Sequence, residues 1–268
     1  MQNFTLKKLA VEMVSRETGF HGRSWDRMHG GYFGDPRLAA PLIKRVKAVM
    51  DKTRPDVVVD LAGGTGFVLH ELIKRHPDPG VHFANVDLSR RQLKAHPDAH
   101  VTAHVVSLQD VRRSQIDRPS KRFLFMMRSA LHYAGRQGLA PLLRHLRRQM
   151  RVGEFFVHQT ACFESSREVQ CINALYRGMN VEKWYPTTRQ LRGLLERHGW
   201  EVRAIVPAPT LDLTSDELLQ RYGLDDEAVE KIRTSLSRRF GASNPVFRAR
   251  RKGFRGRLPY RILECVAK

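Results

Sequence analysis

Short apolar runs alternate with longer segments of helical periodicity along most of the chain. The runs are rich in β-branched and aromatic residues, and they predict seven strands at 57–59, 82–86, 101–106, 123–127, 155–157, 200–206 and 260–266. Between them, apolar residues recur at the three- and four-residue spacing of one helix face. Strands that alternate with helices predict an α/β fold built from βαβ units, with a mostly parallel sheet.

Several helix starts are marked by capping residues. Asp35-Pro36 combines an N-cap side chain with proline at the first helical position. Thr187 or Thr188 begins the helix that precedes the sixth strand. Thr214 and Glu217 have the spacing of a capping box. The last pair predicts a helix inside the segment between the sixth and seventh strands.

Three segments lie outside this alternating core. Residues 1–55 are predicted to form an N-terminal helical lid segment, whose loop at 20–34 is rich in aromatic residues and glycine. The core domain then spans 56–268, with insertions at about 161–186 and 208–257. Both insertions begin near the carboxyl ends of strands, where α/β sheets bind their ligands. We therefore expect the three segments to form a lid and a helical cap over a binding site.

The candidate chemistry concentrates in the stretch Asp56–Glu71. Its strand ends at Asp60 and continues into a turn almost without side chains, Ala62 to Gly66, before an apolar helix begins. A strand, a glycine turn and a helix together bring backbone N–H groups and a helix N-terminus up to a ligand. A second acid, Asp87, ends the second strand 21 residues after Gly66.

The spacing distinguishes this turn from two other ligand-binding turns. The dinucleotide fingerprint G-x-G-x-x-G lacks its third glycine, because Gly64-Thr65-Gly66 is followed by three larger residues. The phosphate-binding pattern G-x-x-x-x-G-K-[ST] is absent from the sequence. The turn and the two strand-end acids resemble motifs one and two of the class I S-adenosylmethionine-dependent methyltransferases. A tight turn in some other α/β domain is the alternative that the residues leave open.

That resemblance implies a three-layer, doubly wound sheet of seven strands in the order 3-2-1-4-5-7-6, with the last strand antiparallel. It also implies S-adenosylmethionine as cofactor, S-adenosylhomocysteine as product, and no metal. Asp60 would hold the methionine end, and Asp87 would accept hydrogen bonds from both ribose hydroxyls. Ser107 stands where the family often has an acid for the adenine amine, and Asp110 follows three residues later. The expected cofactor contacts are Asp60, Ala62, Gly63, Gly64, Gly66, Asp87, Leu88, Ser107, Leu108, Arg128 and Tyr32.

The candidate general base is His132. Ser129-Ala130-Leu131-His132, after the fourth strand, and Gly153-Glu154, before the fifth, resemble the small-molecule O-methyltransferases of plants and bacteria. In that subfamily the histidine of a Leu-His-Asp-Trp motif is the general base, and Tyr133-Ala134 replace its last two residues here. An imidazole suits proton removal because its unperturbed pKa is close to neutral. A hydrogen bond to the acceptor and simple packing beneath the cap are the other roles that the sequence leaves open.

Further residues are candidates for the acceptor site, each with a structural alternative. Arg128 ends the fourth strand and could neutralise an acceptor carboxylate or phosphate, or form an ion pair with Asp110. His158, in the region of the fifth strand, could contact the acceptor or belong to the core. Tyr32 could close the lid. Trp25, Tyr176, Trp184 and Tyr185 could form an aromatic wall for a planar acceptor, or pack the lid and cap internally.

Composition limits the class of protein. The chain has 268 residues, is 41% hydrophobic and carries a formal net charge of +20. It has no apolar run long enough to span a membrane, and its N-terminus lacks the apolar stretch of a signal peptide. Its three cysteines show no C-x-x-C spacing, so they indicate neither a disulfide framework nor a zinc site. We therefore expect a cytoplasmic protein that does not contact membranes.

Three functions are compatible with these features. The first is methyl transfer to a small-molecule acceptor, neutral or anionic, in the biosynthesis of a specialised metabolite, with oxygen preferred over nitrogen or carbon. The second is methylation of RNA guided by residues 231–261, which contain eleven Lys or Arg, no Asp or Glu, and the aromatic residues Phe247 and Phe254. An anionic small acceptor and a solvated surface with no specific partner are the alternatives that this basic stretch leaves open. The third is a non-catalytic domain that keeps the fold and binds a partner. The sequence does not distinguish a monomer from a homodimer.

Overall fold

The sheet has the strand order that the family resemblance implies. In a computed structural model that describes residues 28–268, the parallel strands are β1 (Val57–Leu61), β2 (His82–Asp87), β3 (Thr102–Val105), β4 (Phe123–Arg128) and β5 (Phe155–Ala161). Strand β9 (Phe254–Ala267) lies antiparallel between β5 and β6 (Trp200–Thr214). The core order is β3-β2-β1-β4-β5-β9-β6, which is the expected 3-2-1-4-5-7-6.

The sheet is nevertheless larger than predicted. Strands β6 and β9 extend well beyond 200–206 and 260–266, and they pair as far as Thr214 and Arg255. Two short strands, β7 (Ser243–Asn244) and β8 (Phe247–Ala249), add to β9 beyond the end of β5. The described part of the chain therefore forms nine strands instead of seven. The two ends of the predicted 208–257 insertion therefore belong to the strands β6 and β9.

Proline explains why the extension of β6 is hard to recognise. Pro207 and Pro209 interrupt the segment and argue against a strand when the sequence is read alone. Among the described strands, β6 pairs with β9 alone and lies at the edge of the sheet, so a missing N–H group on its other side removes no hydrogen bond to a neighbouring strand. A register shift between Ala208 and Leu211 accommodates the second proline.

Helices on both faces of the sheet complete three layers. On one face lie α1 (Pro36–Thr53) and α2 (Phe67–Arg75), and on the other lie α5 (Gly135–Arg148) and α7 (Thr188–Arg197). The short helices α3 (Arg90–Leu93) and α4 (Arg113–Ile116) follow β2 and β3. Three further helices pack on the extended parts of β6 and β9, and together they are called the cap below: α6 (Ser166–Gly178), α8 (Ser215–Tyr222) and α9 (Asp226–Phe240).

The capping residues act as predicted. Asp35 accepts a hydrogen bond from a backbone N–H of the first turn of α1, at 2.8 Å. Thr187 caps α7, and Thr214 and Glu217 form a capping box at the start of α8. These side chains satisfy N–H groups that a helix start leaves without a partner in the helix.

The cap has an apolar core of its own. The extended parts of β6 and β9 contribute Leu213 and Phe254 to it, and these residues pack with side chains from α6, α8 and α9. Tyr176 and Tyr185, both candidates for an acceptor wall, belong to this core and are 3% and 1% exposed. The cap therefore shares two continuous strands with the main sheet.

The expectations for the N-terminal segment and for membrane-spanning helices can be compared with the structure only within residues 28–268. The first 27 residues of the predicted lid segment, which include Trp25, lie outside the described residues. Within residues 28–268, no helix has both the length and the apolar character that a membrane crossing requires.

Candidate active site

The carboxyl edge of the sheet gathers polar side chains on one face. Strand register places Asn85 of β2 beside Asp60 of β1, and Gln159 of β5 beside Arg128 of β4. Asp60 is aligned with Met126, two residues before Arg128. Because successive side chains in a strand alternate between faces, the four polar side chains lie on the same face. The apolar side chains of that face pack against α1 and α2.

The turn after β1 depends on residues that need little space. Ala62 and Gly66 have φ angles of 55° and 76°, in the left-handed region that favours glycine. A Cβ at Gly63 would lie 2.4 Å from Asn85 Oδ1 and 2.7 Å from Asp60 Cγ. The backbone at Gly63 therefore approaches these two side chains more closely than any other residue type allows.

Asp87 fastens β2 to this turn. Its Oδ2 accepts a hydrogen bond from the Gly64 N–H at 2.9 Å, and its Oδ1 accepts one from the Ser89 N–H at 2.7 Å. Asn85 adds a bond from its Nδ2 to the Gly64 carbonyl oxygen at 3.2 Å. Burial raises the pKa of Asp87, and the backbone bonds to its carboxylate oppose that rise. Each carboxylate oxygen keeps a lone pair for a further donor, such as a hydroxyl of a diol.

Asp60 is a buried carboxyl group. The residue is 1% exposed, and its Oδ1 has no hydrogen-bond partner among the described residues. Burial is the main cause that raises the pKa of Asp60 to about 8. The nearby Asp87 raises it as well, whereas Arg128 opposes the rise. A buried carboxyl without a partner is unfavourable, so this site fits a ligand that brings a cation or a hydrogen-bond donor.

Arg128 joins the sheet to the segment that precedes α1. Its Nη2 donates to the Tyr32 carbonyl oxygen at 3.1 Å, and its Nη1 donates to that of Phe33 at 3.3 Å. Its Nε is buried and has no partner within residues 28–268. The ion pair with Asp110 that the sequence allowed is not formed, because the guanidinium group binds these carbonyl groups instead. Asp110 accepts a hydrogen bond from the Ser107 hydroxyl at 2.7 Å.

Tyr32 covers the carboxyl edge of the sheet near β5. Its hydroxyl donates to the Pro209 carbonyl oxygen at 2.6 Å and accepts a hydrogen bond from Gln159 Nε2 at 3.1 Å. Its ring stacks on that of Tyr260, with the centroids 5.7 Å apart. Gln159 is fully buried, and its Oε1 has no partner in the described part of the chain. Gln159 and Tyr260 carry no local signal in the sequence, because only the strand register brings them to this edge.

His132 lies under the cap beside aromatic residues. It is 6% exposed, and its ring stacks on that of Tyr185 with a centroid distance of 5.0 Å. The Trp184 N–H donates to the His132 carbonyl oxygen at 3.1 Å. The ring of Tyr176 lies 5.1 Å from that of Tyr185, and the Asn173 side chain binds both backbone groups of Tyr185. Four of the residues predicted for the acceptor site therefore form one group.

Two buried cations of the cap lie next to this group. Lys183 and Arg221 are 6% and 7% exposed. Lys183 Nζ donates to Tyr222 Oη at 2.8 Å and lies 4.5 Å from the ring centroid of Tyr133. Arg221 Nη2 donates to Tyr133 Oη at 3.3 Å. The sequence analysis did not single out these two residues, because nothing in their local sequence distinguishes them from the other Lys and Arg.

His158 does not reach the carboxyl edge. It lies on the opposite face of β5 from Gln159, is fully buried, and stacks on Phe156 with the ring centroids 4.6 Å apart. Burial lowers the pKa of His158 to about 3, so the ring is neutral near pH 7. The expected contact of His158 with the acceptor is therefore wrong, and the alternative of a core histidine is correct.

The remaining predicted contacts flank the polar edge. Leu88 lies between Asp87 and Ser89, at the end of β2. Ser107 and Leu108 follow β3, and Leu108 packs against the core on the α5 side of the sheet. A role of Leu88, Ser107 and Leu108 in binding a nucleoside stays a prediction. Residues 28–268 contain no group of three or more His, Cys, Asp or Glu side chains placed to hold a metal ion.

Solved structures provide the comparison that sequence searches do not. No family model matches the chain, and the search of curated proteins gives no match. A Bacillus halodurans protein described as a candidate methyltransferase aligns with a TM-score of 0.64 and 13% identity, over 84% of this chain and 97% of that one. The 1,6-didemethyltoxoflavin-N1-methyltransferase of Burkholderia thailandensis, solved with 1,6-didemethyltoxoflavin and S-adenosylhomocysteine, aligns with a TM-score of 0.55 and 14% identity, over 100% and 89%. A geranyl diphosphate C-methyltransferase of Streptomyces coelicolor gives 0.50 and 18%, over 84% and 79%.

The chain has the class I methyltransferase fold. The identities of 13–18% with these proteins show the fold alone. The predicted resemblance to class I methyltransferases is confirmed for the fold. The resemblance to O-methyltransferases in particular stays a prediction. The methyltransferase fold explains the position of the polar edge, because ligands of doubly wound sheets bind outside the carboxyl ends of the strands.

The residues of this edge fit S-adenosylmethionine by their chemistry. Asp60 Oδ1 and Gln159 Oε1 are acceptors and Arg128 Nε is a donor, and all three are buried without a partner among the described residues. An amino acid group brings the complementary ammonium and carboxylate. Asp87 has acceptor capacity left for a ribose diol. Gly63 leaves the backbone of the turn bare at the same place.

The raised pKa of Asp60 predicts how the free energy of unfolding depends on pH. Because the folded pKa of about 8 lies above the unfolded value near 3.8, the contribution of Asp60 to stability is fully present below about pH 4 and is lost as the pH rises through 8. The loss has a slope of up to about 1.4 kcal/mol per pH unit. Asp60→Asn, which mimics the neutral carboxyl, should therefore be more stable than the wild type at pH 8, with the difference shrinking towards pH 5.

Urea unfolding at pH 5, 6.5 and 8 measures this difference. Asp51→Asn is the matched control, because Asp51 is exposed and its ion pair with Lys47 is on the surface. It should show little change at any of the three pH values. A constant difference between Asp60→Asn and the wild type across the series would contradict a raised pKa at Asp60.

Proposed function

We propose that the chain is an S-adenosylmethionine-dependent methyltransferase that acts on a small-molecule acceptor in the biosynthesis of a specialised metabolite. The observation that carries the proposal is Asp60, a buried carboxyl with an unpartnered oxygen beside a turn of bare backbone. The buried and unpartnered polar atoms of Arg128 and Gln159 support it. They lie on the same face of neighbouring strands and complement an amino acid group.

The chain would hold the cofactor at three points. Asp60 binds the ammonium of the methionine end, and Arg128 Nε is available to its carboxylate. Asp87 accepts hydrogen bonds from the ribose hydroxyls while the Gly64 and Ser89 N–H groups fix its carboxylate. When bound there, S-adenosylmethionine supplies an electrophilic methyl group. Tyr32 lies across this edge and keeps water from Arg128 and Gln159.

The acceptor would meet the methyl group under the cap. His132 is the proposed base, and it removes the proton of an acceptor hydroxyl as the new bond forms. Its stacking on Tyr185 fixes the orientation of the imidazole ring, and fixed geometry is what a displacement in line with the leaving group requires. A base at this position favours oxygen over nitrogen or carbon as the methylated atom.

A covered site favours a small acceptor. His132 and Tyr185 are 6% and 1% exposed, so a macromolecule would reach them only through an extended side group. Two structures with the same fold are described with 1,6-didemethyltoxoflavin and with geranyl diphosphate, which are small molecules. Phe247 and Phe254, which the sequence analysis considered as a stacking surface for RNA bases, are each 1% exposed in the cap core. Their burial removes the aromatic part of the argument for RNA as the acceptor.

Cofactor affinity tests the proposed role of Asp87. Asp87→Ala should weaken S-adenosylhomocysteine binding by ~1–3 kcal/mol, because two hydrogen bonds to a charged acceptor are lost. Isothermal titration calorimetry measures the change in Kd. Asp51→Ala is the control that removes an exposed carboxylate elsewhere, and its Kd should match that of the wild type. Equal affinities of Asp87→Ala and the wild type would rule out the proposed ribose site.

Turnover tests the proposed role of His132. On an acceptor found by screening phenols for S-adenosylhomocysteine release, His132→Ala should lower kcat by ~10²-fold or more. Its Kd for S-adenosylhomocysteine should stay unchanged, because the imidazole does not hold the cofactor. His198→Ala, at the end of α7, serves as the control histidine. A full rate in His132→Ala would leave His132 with a packing role only.

A further inference from the structure

A cluster of cations occupies one end of the extended sheet. Strands β8 and β9 form a hairpin in which Arg248 lies directly opposite Arg255, and Arg257 follows on the same face two residues later. The turn between the strands contributes Arg250, Arg251 and Lys252. All six side chains are exposed. These six residues, Arg248, Arg250, Arg251, Lys252, Arg255 and Arg257, are called the basic face below.

The hairpin separates its charged and apolar residues strictly. Phe247, Phe254 and Leu258 point to the other side of the strands and are 1%, 1% and 2% exposed in the core of the cap. The alternation of strand side chains leaves the outer surface to arginine. The basic face is therefore a polar surface backed by a packed core.

The charges of the basic face are poorly compensated within the protein. Like charges directly opposite in an antiparallel pair are unfavourable, and Arg248 and Arg255 are such a pair. Within residues 28–268, the carboxylate that contacts the face is Asp212, 3.2 Å from Arg257 Nε. On other surfaces the cations alternate with acids, as in the pair of Arg192 and Glu196 on α7. An arrangement that is unfavourable in isolation is one that a negatively charged partner would stabilise.

The hairpin is also held in a fixed position. The Phe254 N–H donates to Ser215 Oγ at 3.2 Å, and the Arg250 N–H donates to the Gly253 carbonyl oxygen at 3.0 Å. A Cβ at Gly253 would lie 2.0 Å from Ser215 Oγ, so the turn packs tightly on the start of α8. The positions of the cationic side chains along the backbone are therefore set before any partner binds.

We propose that the basic face binds the phosphate backbone of a nucleic acid without reading its sequence. Five of the six cations are arginines, whose planar groups match phosphate oxygens in pairs. A protein partner would need apolar or aromatic residues at the centre of the interface, and stable attachment to a membrane surface needs an inserted apolar group in addition to the cations. The basic face has neither, since its aromatic neighbours are buried. Interfaces with nucleic acid are the ones that are mainly polar and positively charged.

This inference does not depend on the proposed methyl transfer. It concerns a surface on the outside of the cap, and its test needs neither cofactor nor acceptor. Because Phe247 and Phe254 are unavailable for base stacking, contact with unpaired bases is not part of it. The expected binding mode is electrostatic and depends strongly on salt.

Fluorescence anisotropy with a labelled DNA duplex and a labelled RNA duplex tests the inference. Affinity should fall steeply as salt rises from about 50 to about 200 mM, with equal values for two unrelated sequences. The triple variant Arg248→Gln, Arg250→Gln, Arg255→Gln should bind at least ~10-fold more weakly. It should also lower the slope of log K against log salt by about two, because each lost phosphate contact contributes about 0.7–0.9.

A matched variant separates this surface from net charge. Arg144→Gln, Arg148→Gln, Arg197→Gln removes the same charge from exposed positions on α5 and α7, away from the basic face. It should keep most of the affinity and the original salt slope. Thermal melts should show both variants folded. If the basic-face variant does not fold, Arg255→Gln alone should still lower the slope by about 0.7–0.9.

Three results would overturn the inference. One is absence of duplex binding at low salt, and another is an equal loss of affinity in the two triple variants. The third is binding to phosphatidylserine vesicles or to polyglutamate that is as tight as binding to the duplexes, since it would mean that the face attracts any polyanion.

Discussion

Two carboxyl groups at the ends of adjacent strands, the buried Asp60 and the half-buried Asp87, constrain the rest of this structure. Asp60 and Asp87 repel each other, and burial makes the ionised state of each still less favourable. Asp87 is stabilised by backbone N–H groups, whereas one oxygen of Asp60 is left without a partner in the described chain. A protein that needed only stability would place an apolar residue at position 60. The unfavourable carboxyl therefore indicates a ligand that carries positive charge.

The surroundings of these two acids follow from the same constraint. Only glycine at position 63 leaves room for the Asp60 and Asn85 side chains. Ala62 adopts a left-handed conformation in the same turn. On the neighbouring strand Arg128 supplies the opposite charge and binds the carbonyl groups of Tyr32 and Phe33. The segment before α1 is thereby tied to the carboxyl edge of the sheet. The segment before α1, the turn and the strand ends therefore form one polar unit.

The sequence predicts this unit where local signals suffice and fails where distant pairing decides. The apolar runs, Asp60, Asp87 and the capping residues are local signals, and the family resemblance carried by the turn and the two acids implied the correct strand order. The long β6 was missed because Pro207 and Pro209 are tolerated only at a sheet edge, which the sequence does not reveal. Gln159 and His158 are neighbours in the chain, but the register and the face of β5 send one to the site and the other to the core.

Proton release on cofactor binding tests the central claim most directly. Calorimetric titrations with S-adenosylhomocysteine in buffers of different ionisation enthalpy give the number of protons exchanged. If the ammonium of the ligand meets Asp60, the pKa of about 8 must fall on binding. The account therefore predicts release of nearly one proton per ligand at pH 6.5–7, declining above pH 8, and almost none in Asp60→Asn. Tight binding of the ligand with no proton release in the wild type would contradict it.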